Sequence, residues 1–228
     1  MYLSRLFPDT TAHDYRRDHA DLHNMHRTVM SGFPDVTGDT PARAHHGVLW
    51  RFDRTRHGHT LYVQSHTRPD WSHLDHYLAR PADTRDLTDV LETLQPGRTL
   101  AFRLSANPTK RLRLTDQRDP NRTGGRRDNR YPIVKPEDQI SWLINQATRH
   151  GFVIPTGSDN RPDVATTSTP RQTGKQHDRS NTITVDQVRY DGHLVITDHT
   201  AFTTALTTGI GPSKAYGCGL LTLAPAQR

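Results

Sequence analysis

The chain has 228 residues, with 30 Lys and Arg against 24 Asp and Glu, so its formal net charge is +6. A basic balance favours polyanionic partners, nucleic acid first, and the single cysteine, Cys218, excludes both an intramolecular disulfide and a cysteine-based zinc cluster. There is no apolar N-terminal signal and no run of 18 apolar residues, so we expect a cytoplasmic protein that does not contact a membrane.

The first half of the chain alternates strand-like and helix-like patterns. Leu22, Met25 and Val29 recur at helical spacing, which predicts a helix over Asp14–Met30. A short helix is a further interpretation of Trp71–Leu78. Apolar runs predict three strands: Met1–Phe7, Val48–Asp53 and Thr60–Ser65.

A break at Gln95-Pro96-Gly97 separates this half from the second. Beyond it, strands are predicted over Thr99–Ala106 and Gly219–Leu223, with a hairpin of Thr182–Tyr190 and His193–Thr197 turning at Asp191-Gly192. Helices are predicted over Pro136–Gly151 and from the cap Asp198 to Leu206.

The order from residue 98 onward is strand–helix–strand–strand–helix–strand, and the first half can be read in the same way. This order is the ferredoxin-like βαββαβ unit, which RNA-recognition modules share. We therefore predict an α+β fold of two tandem ferredoxin-like (RRM-like) domains with antiparallel sheets. The predicted domains are residues 1–94 and 98–228, joined by the linker 95–97.

The segment Gly209–Gly219, which we call the glycine loop, holds four glycines around Lys214 and Tyr216. Glycine lets a backbone approach a ligand closely, and the lysine supplies a positive charge. The loop precedes a strand and carries Lys214 at the sixth position of G-x-G-x-x-G, so it does not match a nucleotide-cofactor motif. A polymeric phosphate backbone is the predicted ligand, and a tight helix-to-strand connection capped by glycine is the alternative.

Three histidines of the first predicted helix suggest a second kind of site. His19, His23 and His26 are spaced i, i+4 and i+7, so one face of an unbroken helix could present them to a divalent metal. The chain contains no H-E-x-x-H motif, and we favour no metal at this position.

Several segments together resemble one family, the CRISPR RNA-processing endoribonuclease of type I-E systems, which is the CasE subunit of the Cascade complex. They follow one another in the right order over nearly the whole chain. The segments are Met1-Tyr2-Leu3-Ser4, His26–Met30, Phe33-Pro34, Val63-Gln64-Ser65, Pro69-Asp70-Trp71, Phe102–Lys110, Gln139–Leu143 and Gly209–Pro225.

The resemblance implies a metal-independent endoribonuclease of tandem ferredoxin-like domains with no cofactor. Such an enzyme cleaves CRISPR repeat hairpins in precursor RNA, leaves 2′,3′-cyclic phosphate and 5′-OH ends, and stays on the mature crRNA among the other Cascade subunits. A subunit that binds this RNA without cleaving it is the alternative function.

The resemblance also implies roles for individual residues. His26 aligns with the catalytic histidine of the family, and histidine suits proton transfer near neutral pH. Lys214 is a candidate for stabilising charge on the phosphate. Well-known members carry tyrosine where this chain has His23, which either replaces that tyrosine as a proton carrier or orienting group or is a neutral substitution.

The predicted RNA-binding residues are basic clusters of the second domain together with the glycine loop. For each cluster, a solvated basic loop is the alternative. The predicted residues are Arg103, Lys110, Arg111, Arg126, Arg127, Arg130, Arg171, Lys175, Arg179, Gly209, Gly211, Ser213, Lys214 and Tyr216.

Overall fold

The first half of the chain forms a four-stranded antiparallel sheet. The computed structural model describes residues 1–55, 58–111, 130–175 and 182–226. The strands of the first sheet are β1 (Tyr2–Pro8), β2 (Leu49–Thr55), β3 (Gly58–Ser65) and β4 (Leu78–Asp86), in the spatial order β2-β3-β1-β4. Alternate side chains of β1, including Ser4 and Leu6, are buried, as expected for a strand with one face on a core.

Two helices, α1 (His13–Ala20) and α2 (Leu22–Met30), stand where the spacing predicts one helix over Asp14–Met30. The prediction is wrong at Asp21, whose backbone is extended and whose carboxylate accepts hydrogen bonds from the His23 and Asn24 N–H groups at 2.7 and 3.3 Å. Aspartate is a preferred N-cap residue, so it ends one helix and starts the next. Leu22, Met25 and Val29 are buried as predicted.

The remaining helical segments of this half are short. They are α3 (Ala42–His45), a 3-10 turn at Ser72–Leu74 and α4 (Thr88–Glu92). The helix interpretation of Trp71–Leu78 is therefore wrong beyond that turn, because Leu78 already begins β4. The first sheet thus keeps the strand order of a ferredoxin-like unit while a single 3-10 turn takes the place of its second helix.

The second half contains a second antiparallel sheet backed by two helices. The elements of this half are β5 (Thr99–Ala106), α5 (Pro136–Arg149), β8 (Phe152–Val153), β9 (Val164–Ser168), β12 (Val188–Ile196), α6 (His199–Thr208) and β13 (Leu221–Pro225). The strands of the sheet have the spatial order β13-β5-β12-β8, with β9 also paired to β12. The predicted α+β class with antiparallel sheets is confirmed.

The predicted hairpin around Asp191-Gly192 is wrong, because β12 runs through both residues without a turn. Gly192 pairs with Phe102 on one side and Val164 on the other. A Cβ atom at this position would lie 2.2 Å from the carbonyl oxygen of Asp163. The glycine therefore permits close approach of a neighbouring strand rather than a reversal of the chain.

Two small strand pairs project from the second half. The basic ribbon consists of β6 (Thr109–Arg111) and β7 (Arg130–Pro132), and the crossing hairpin consists of β10 (Gln172–Lys175) and β11 (Thr182–Val185). Val185 of the crossing hairpin is buried in the core of the first half. None of the helices in the described ranges is long and apolar enough to span a membrane.

Each half has its own buried cluster, and charged residues join the two halves. Arg51 pairs with Asp53 at 2.8 Å with both side chains buried, and its Nη1 donates to Thr222 Oγ1 at 2.8 Å. Arg103 of β5 reaches Asp53 at 3.1 Å from the other half. Because the strands of each sheet come from one side of residues 95–97, we propose the domain division 1–94 and 98–228.

Candidate active site

Helix α2 presents two histidines one turn apart. Leu22, Met25 and Val29 face the core, whereas His23 and His26 are only partly buried. The ring centroid of His26 lies 6.2 Å from that of Tyr216 in the glycine loop. This contact brings the predicted catalytic histidine and the predicted binding loop together.

The glycine loop is fixed against the first domain beside His26. Its residues Lys214–Tyr216 form a 3-10 turn that packs on α2 and β2. The indole Nε1 of Trp50 donates to the Ala215 carbonyl at 3.1 Å. A Cβ atom at Gly217, whose φ is +76°, would lie 2.9 Å from the Trp50 ring. Glycine at 217 therefore lets the turn sit directly on the tryptophan.

The first two glycines of the loop pack closely against neighbouring side chains. Gly209 is the C-cap of α6 and is buried, and a Cβ atom there would lie 2.7 Å from Leu49. Gly211 lies against Trp142, which a Cβ atom would approach to 3.1 Å. At Gly209 the geometry therefore favours the alternative of a glycine-capped connection over an RNA contact. The geometry gives Gly211 the same packing role.

Cationic groups surround His26. Burial, followed by the charges of His23 and Arg43, lowers the pKa of His26 to about 4. Burial and the charge of Arg43 also lower the pKa of Lys214. The charge of Arg43 thus acts on both predicted catalytic groups, while the charge of Lys214 acts on His150. At neutral pH the imidazole of His26 is uncharged and can accept a proton.

Arg43 is the residue that sequence reasoning missed. It lies in α3, a four-residue helix in a stretch without apolar periodicity, and its Nη1 donates to the Val48 carbonyl at 3.0 Å. That bond ties the guanidinium to the residue before β2. In the sequence, Arg43 is marked only as a basic residue in a segment for which no helix or strand is predicted.

Burial also shifts the pKa values of three other groups in or near the glycine loop, namely Tyr216, His150 and Cys218. Burial raises the pKa of Tyr216, so its hydroxyl stays protonated and able to donate a hydrogen bond. His150, which ends α5, has a lowered pKa because of burial and the charges of Lys214 and Arg149. Cys218 is buried, and burial raises the pKa of its thiol to about 12, which leaves it without nucleophilic character.

Three of the predicted RNA-binding segments surround one groove of about 410 Å³. The basic ribbon supplies Arg130, the crossing hairpin region supplies Arg171, and the glycine loop supplies Ser213. Asn107 Nδ2 donates to Ser213 Oγ at 2.9 Å and ties the loop to the groove wall. Arg171 pairs with Asp186 at 2.8 Å within the same wall.

The basic ribbon carries further exposed positive charge. Lys110 is exposed and opposes Tyr131, and Arg111 opposes Arg130 across the two strands. These positions place several predicted RNA-binding cations on one two-stranded element.

Among the described residues, Arg103 is a predicted RNA-binding residue that does not line the groove. Arg103 instead pairs with Asp53 at 3.1 Å and with Asp191 at 2.5 Å, so its charge is matched within the protein and we assign it a structural role. Lys175 ends β10, and its side chain lies outside the described part of the structure. Arg126, Arg127 and Arg179 also lie outside the described residues.

The metal alternative loses its geometric basis. His19 belongs to α1, before the break at Asp21, and its ring stacks on His59 with centroids 5.6 Å apart. The i, i+4, i+7 face assumed for one continuous helix therefore does not form. In the described ranges, no group of three or more His, Cys, Asp or Glu side chains is arranged to hold a metal ion.

The lowered pKa of His26 predicts how the stability of the protein changes with pH. Below its ordinary pKa near 6.5, the unfolded chain takes up a proton that the folded protein does not bind. The free energy of unfolding should therefore fall as pH drops from 6.5 to 4, by at most about 3 kcal/mol from this group. Urea unfolding at pH 7, 6 and 5 measures the slope.

The comparison between variants isolates the contribution of His26. His26→Gln should show a shallower slope than the wild type, while His13→Gln, at an exposed position, should keep the wild-type slope. Equal slopes for wild type and His26→Gln would contradict the depressed pKa.

Comparisons with known proteins agree with this geometry. A family model described as CRISPR associated protein matches residues 1–225. The CRISPR-associated endoribonuclease Cse3 of Thermus thermophilus is 30% identical over 231 residues, covering 99% of this chain and 100% of the relative. The CRISPR system Cascade subunit CasE of Escherichia coli is 30% identical over 234 residues, with the same coverage.

A solved structure of the CRISPR endoribonuclease Cse3 bound to 19 nt RNA has the same fold. Its TM-score against this chain is 0.78 at 28% identity, and the match covers 98% of this chain and 99% of that one. Since the family model spans nearly the whole sequence and two full-length relatives agree with it, this chain belongs to the CRISPR-associated protein family, as its sequence segments predict.

Proposed function

We propose that this chain is a metal-independent endoribonuclease that cleaves CRISPR repeat hairpins in precursor RNA to mature crRNA and stays bound as a Cascade subunit. The observation that carries the proposal is the neutral, partly buried His26 beside Tyr216, with Arg43 acting on both His26 and Lys214. The named activity of Cse3, its structure with RNA, and the Cascade membership of CasE support it. RNA processing of this kind places the protein in the cytoplasm.

The cleavage step needs a proton acceptor, a site for negative charge and a proton donor. Neutral His26 takes the proton of the upstream 2′-OH while that oxygen attacks the scissile phosphorus. Lys214 and Arg43 stabilise the additional negative charge of the pentavalent phosphate. The bond to the 5′-oxygen then breaks, and this oxygen takes a proton. The products are a 2′,3′-cyclic phosphate and a 5′-OH.

His23 is our candidate for delivering that last proton. It stands one helical turn before His26, close enough for its charge to lower the pKa of His26. Its backbone N–H is held by the Asp21 cap at 2.7 Å, which fixes the first turn of α2. We therefore infer that His23 replaces the tyrosine of the resembled family rather than being a neutral change.

We propose that the stem of the hairpin lies along the groove between the basic ribbon, the crossing hairpin and the glycine loop. Arg130, Arg171 and Ser213 line this groove, and Lys110 and Arg111 are exposed cations of the same ribbon that supplies Arg130. A-form RNA hides its base edges in a deep, narrow major groove, so contacts to phosphate and to stem shape should dominate.

Replacing Arg130, which lines the groove, by glutamine tests it. The change removes one exposed charge, so affinity for the repeat hairpin should fall, and the slope of log K against log salt should decrease by about one. Filter binding of uncleavable 2′-deoxy repeat RNA at several salt concentrations measures the slope. Arg85→Gln removes one exposed charge from β4 of the first domain and should leave the slope unchanged.

The deciding experiment incubates purified protein with its own repeat hairpin in EDTA and identifies the product ends. One cut that leaves a cyclic phosphate and a 5′-OH supports the proposed chemistry. Tight binding without cleavage would instead identify the non-cleaving subunit, and cleavage that requires added divalent ion would overturn metal independence. A single 2′-deoxy nucleotide upstream of the cut should block cleavage and barely change binding.

A further inference from the structure

A cavity of about 450 Å³ lies between the two domains on the side of α2 that faces the second sheet. Its apolar wall comes from Leu22 and Met25 of α2 and from Trp50 and Phe52 of β2. Tyr216, whose ring neighbours His26, also lines it. The cavity therefore adjoins the proposed catalytic histidine without containing it.

The charge of the cavity favours an anionic ligand. Of the carboxylates lining it, Asp53 is paired with Arg51 and Arg103, and Asp18 is paired with Arg17. Arg54, at the rim, is exposed, approaches His19 Nε2 at 3.4 Å, and has no carboxylate partner among the described residues. An apolar wall in the same cavity as a guanidinium without a described carboxylate partner fits a nucleobase attached to a phosphate.

The cavity adjoins the proposed RNA groove. Arg171 lines both of them, and Thr169 and Pro170, which precede it, line the cavity. A strand whose phosphates follow the groove would therefore reach the rim of the cavity at Arg171. A volume of this size is within the range of small-ligand sites and accommodates one nucleotide.

The chemistry of cleavage gives such a cavity a purpose. Attack by the 2′-oxygen requires the attacking oxygen, the phosphorus and the leaving oxygen to lie in line. Stacked A-form RNA does not hold its 2′-oxygens in that position, so a nucleotide beside the scissile phosphate has to leave the stack. A receptor for its base would hold the strand in the reactive geometry.

We propose that this interdomain cavity receives one unpaired nucleotide of the repeat RNA, adjacent to the scissile phosphate. The inference rests on the proposed function for its substrate, but it assigns a separate binding site for the displaced base. Contact with an apolar wall tolerates different bases, so the cavity positions the strand more than it reads its sequence.

The test blocks the cavity from an exposed position. Ala20, the last residue of α1, lines the cavity and is exposed, so Ala20→Trp fills it without disturbing the core. The matched control is Ala165→Trp, the same change at an exposed position on β9 that does not line the cavity. Unchanged thermal midpoints establish that both variants fold.

The first measurement uses 2-aminopurine at each nucleotide that flanks the scissile phosphate, in repeat RNA made uncleavable by one 2′-deoxy ribose. Wild type and Ala165→Trp should change the fluorescence at one of these positions, and Ala20→Trp should not. With cleavable RNA, Ala20→Trp should cut more slowly by about 10²-fold, the loss typical of a misplaced reacting group, with unchanged affinity for the stem.

The outcomes separate this inference from the proposed function. If wild type fails to cut, the proposed function falls, while the fluorescence on uncut RNA still tests the cavity. Wild-type fluorescence and rate for Ala20→Trp would overturn the cavity proposal and leave the nuclease intact. A free nucleoside monophosphate that quenches tryptophan fluorescence and is not displaced by repeat RNA would identify a small-molecule site and would also overturn it.

Discussion

Replacing His26 by alanine should lower the single-turnover cleavage rate by about 10²–10⁴-fold, the usual contribution of a general acid or base. The imidazole is the group that the site keeps neutral, with its pKa lowered to about 4, so its loss removes the proton acceptor for the 2′-OH. Affinity for 2′-deoxy repeat RNA should remain close to that of wild type, because His26 acts on a proton rather than on the stem. Rapid quench with labelled RNA measures the rate.

His13→Ala provides the control for this prediction, since it removes an imidazole from an exposed position of α1 and should cut at the wild-type rate. The pH profile gives a second check. If neutral His26 is the base, kcat/KM should rise through the pKa of His26 and should not decline between pH 5 and 7 because of this group. A rate that falls over this range through His26 would instead make its protonated form the acid.

The second large effect is expected for Lys214. Lys214→Ala should lower the cleavage rate by about 10²–10³-fold, a loss comparable to removing one stabiliser of transition-state charge. The side chain belongs to the turn that packs on α2, and Arg43 acts on it and on His26 alike. Because the additional charge develops on the phosphate during attack, kcat should fall more than the affinity for uncleavable RNA.

Lys214→Arg should recover part of the rate, since it restores the charge with a different geometry. Lys135→Ala, which removes an exposed lysine at the start of α5, is the matched control and should cut normally. Equal losses of rate and affinity in Lys214→Ala would assign Lys214 to ground-state RNA binding instead.

Much of the fold was accessible from the sequence because local signals agree with the tertiary structure. β5 occupies Thr99–Ala106 as predicted, and Asp198 caps α6 by accepting from the Ala201 N–H at 2.9 Å. Two of the errors arise at residues that have two interpretations. Asp21 lies within a run of residues with helical spacing, but it is the N-cap of a second helix. Gly192 is of a type common in turns, but it lies inside a strand.

The candidate site was only partly predictable, since it depends on contacts between distant segments. His26 and Lys214 are marked by the family resemblance, and the structure brings their surroundings together through the turn on α2. Arg43 carries no local pattern, and its place at the site becomes visible only once the Val48 carbonyl fixes its guanidinium at 3.0 Å. Arg103 shows the converse, because a basic residue in a recognisable segment proves to be matched by carboxylates.

The indole of Trp50 holds the turn that carries Lys214 and Tyr216, and this contact has a consequence during protein synthesis. Lys214 is synthesised 188 residues after His26. A nascent chain therefore carries the histidine without the turn while those residues are being made. We expect cleavage to begin only after the turn has reached the tryptophan.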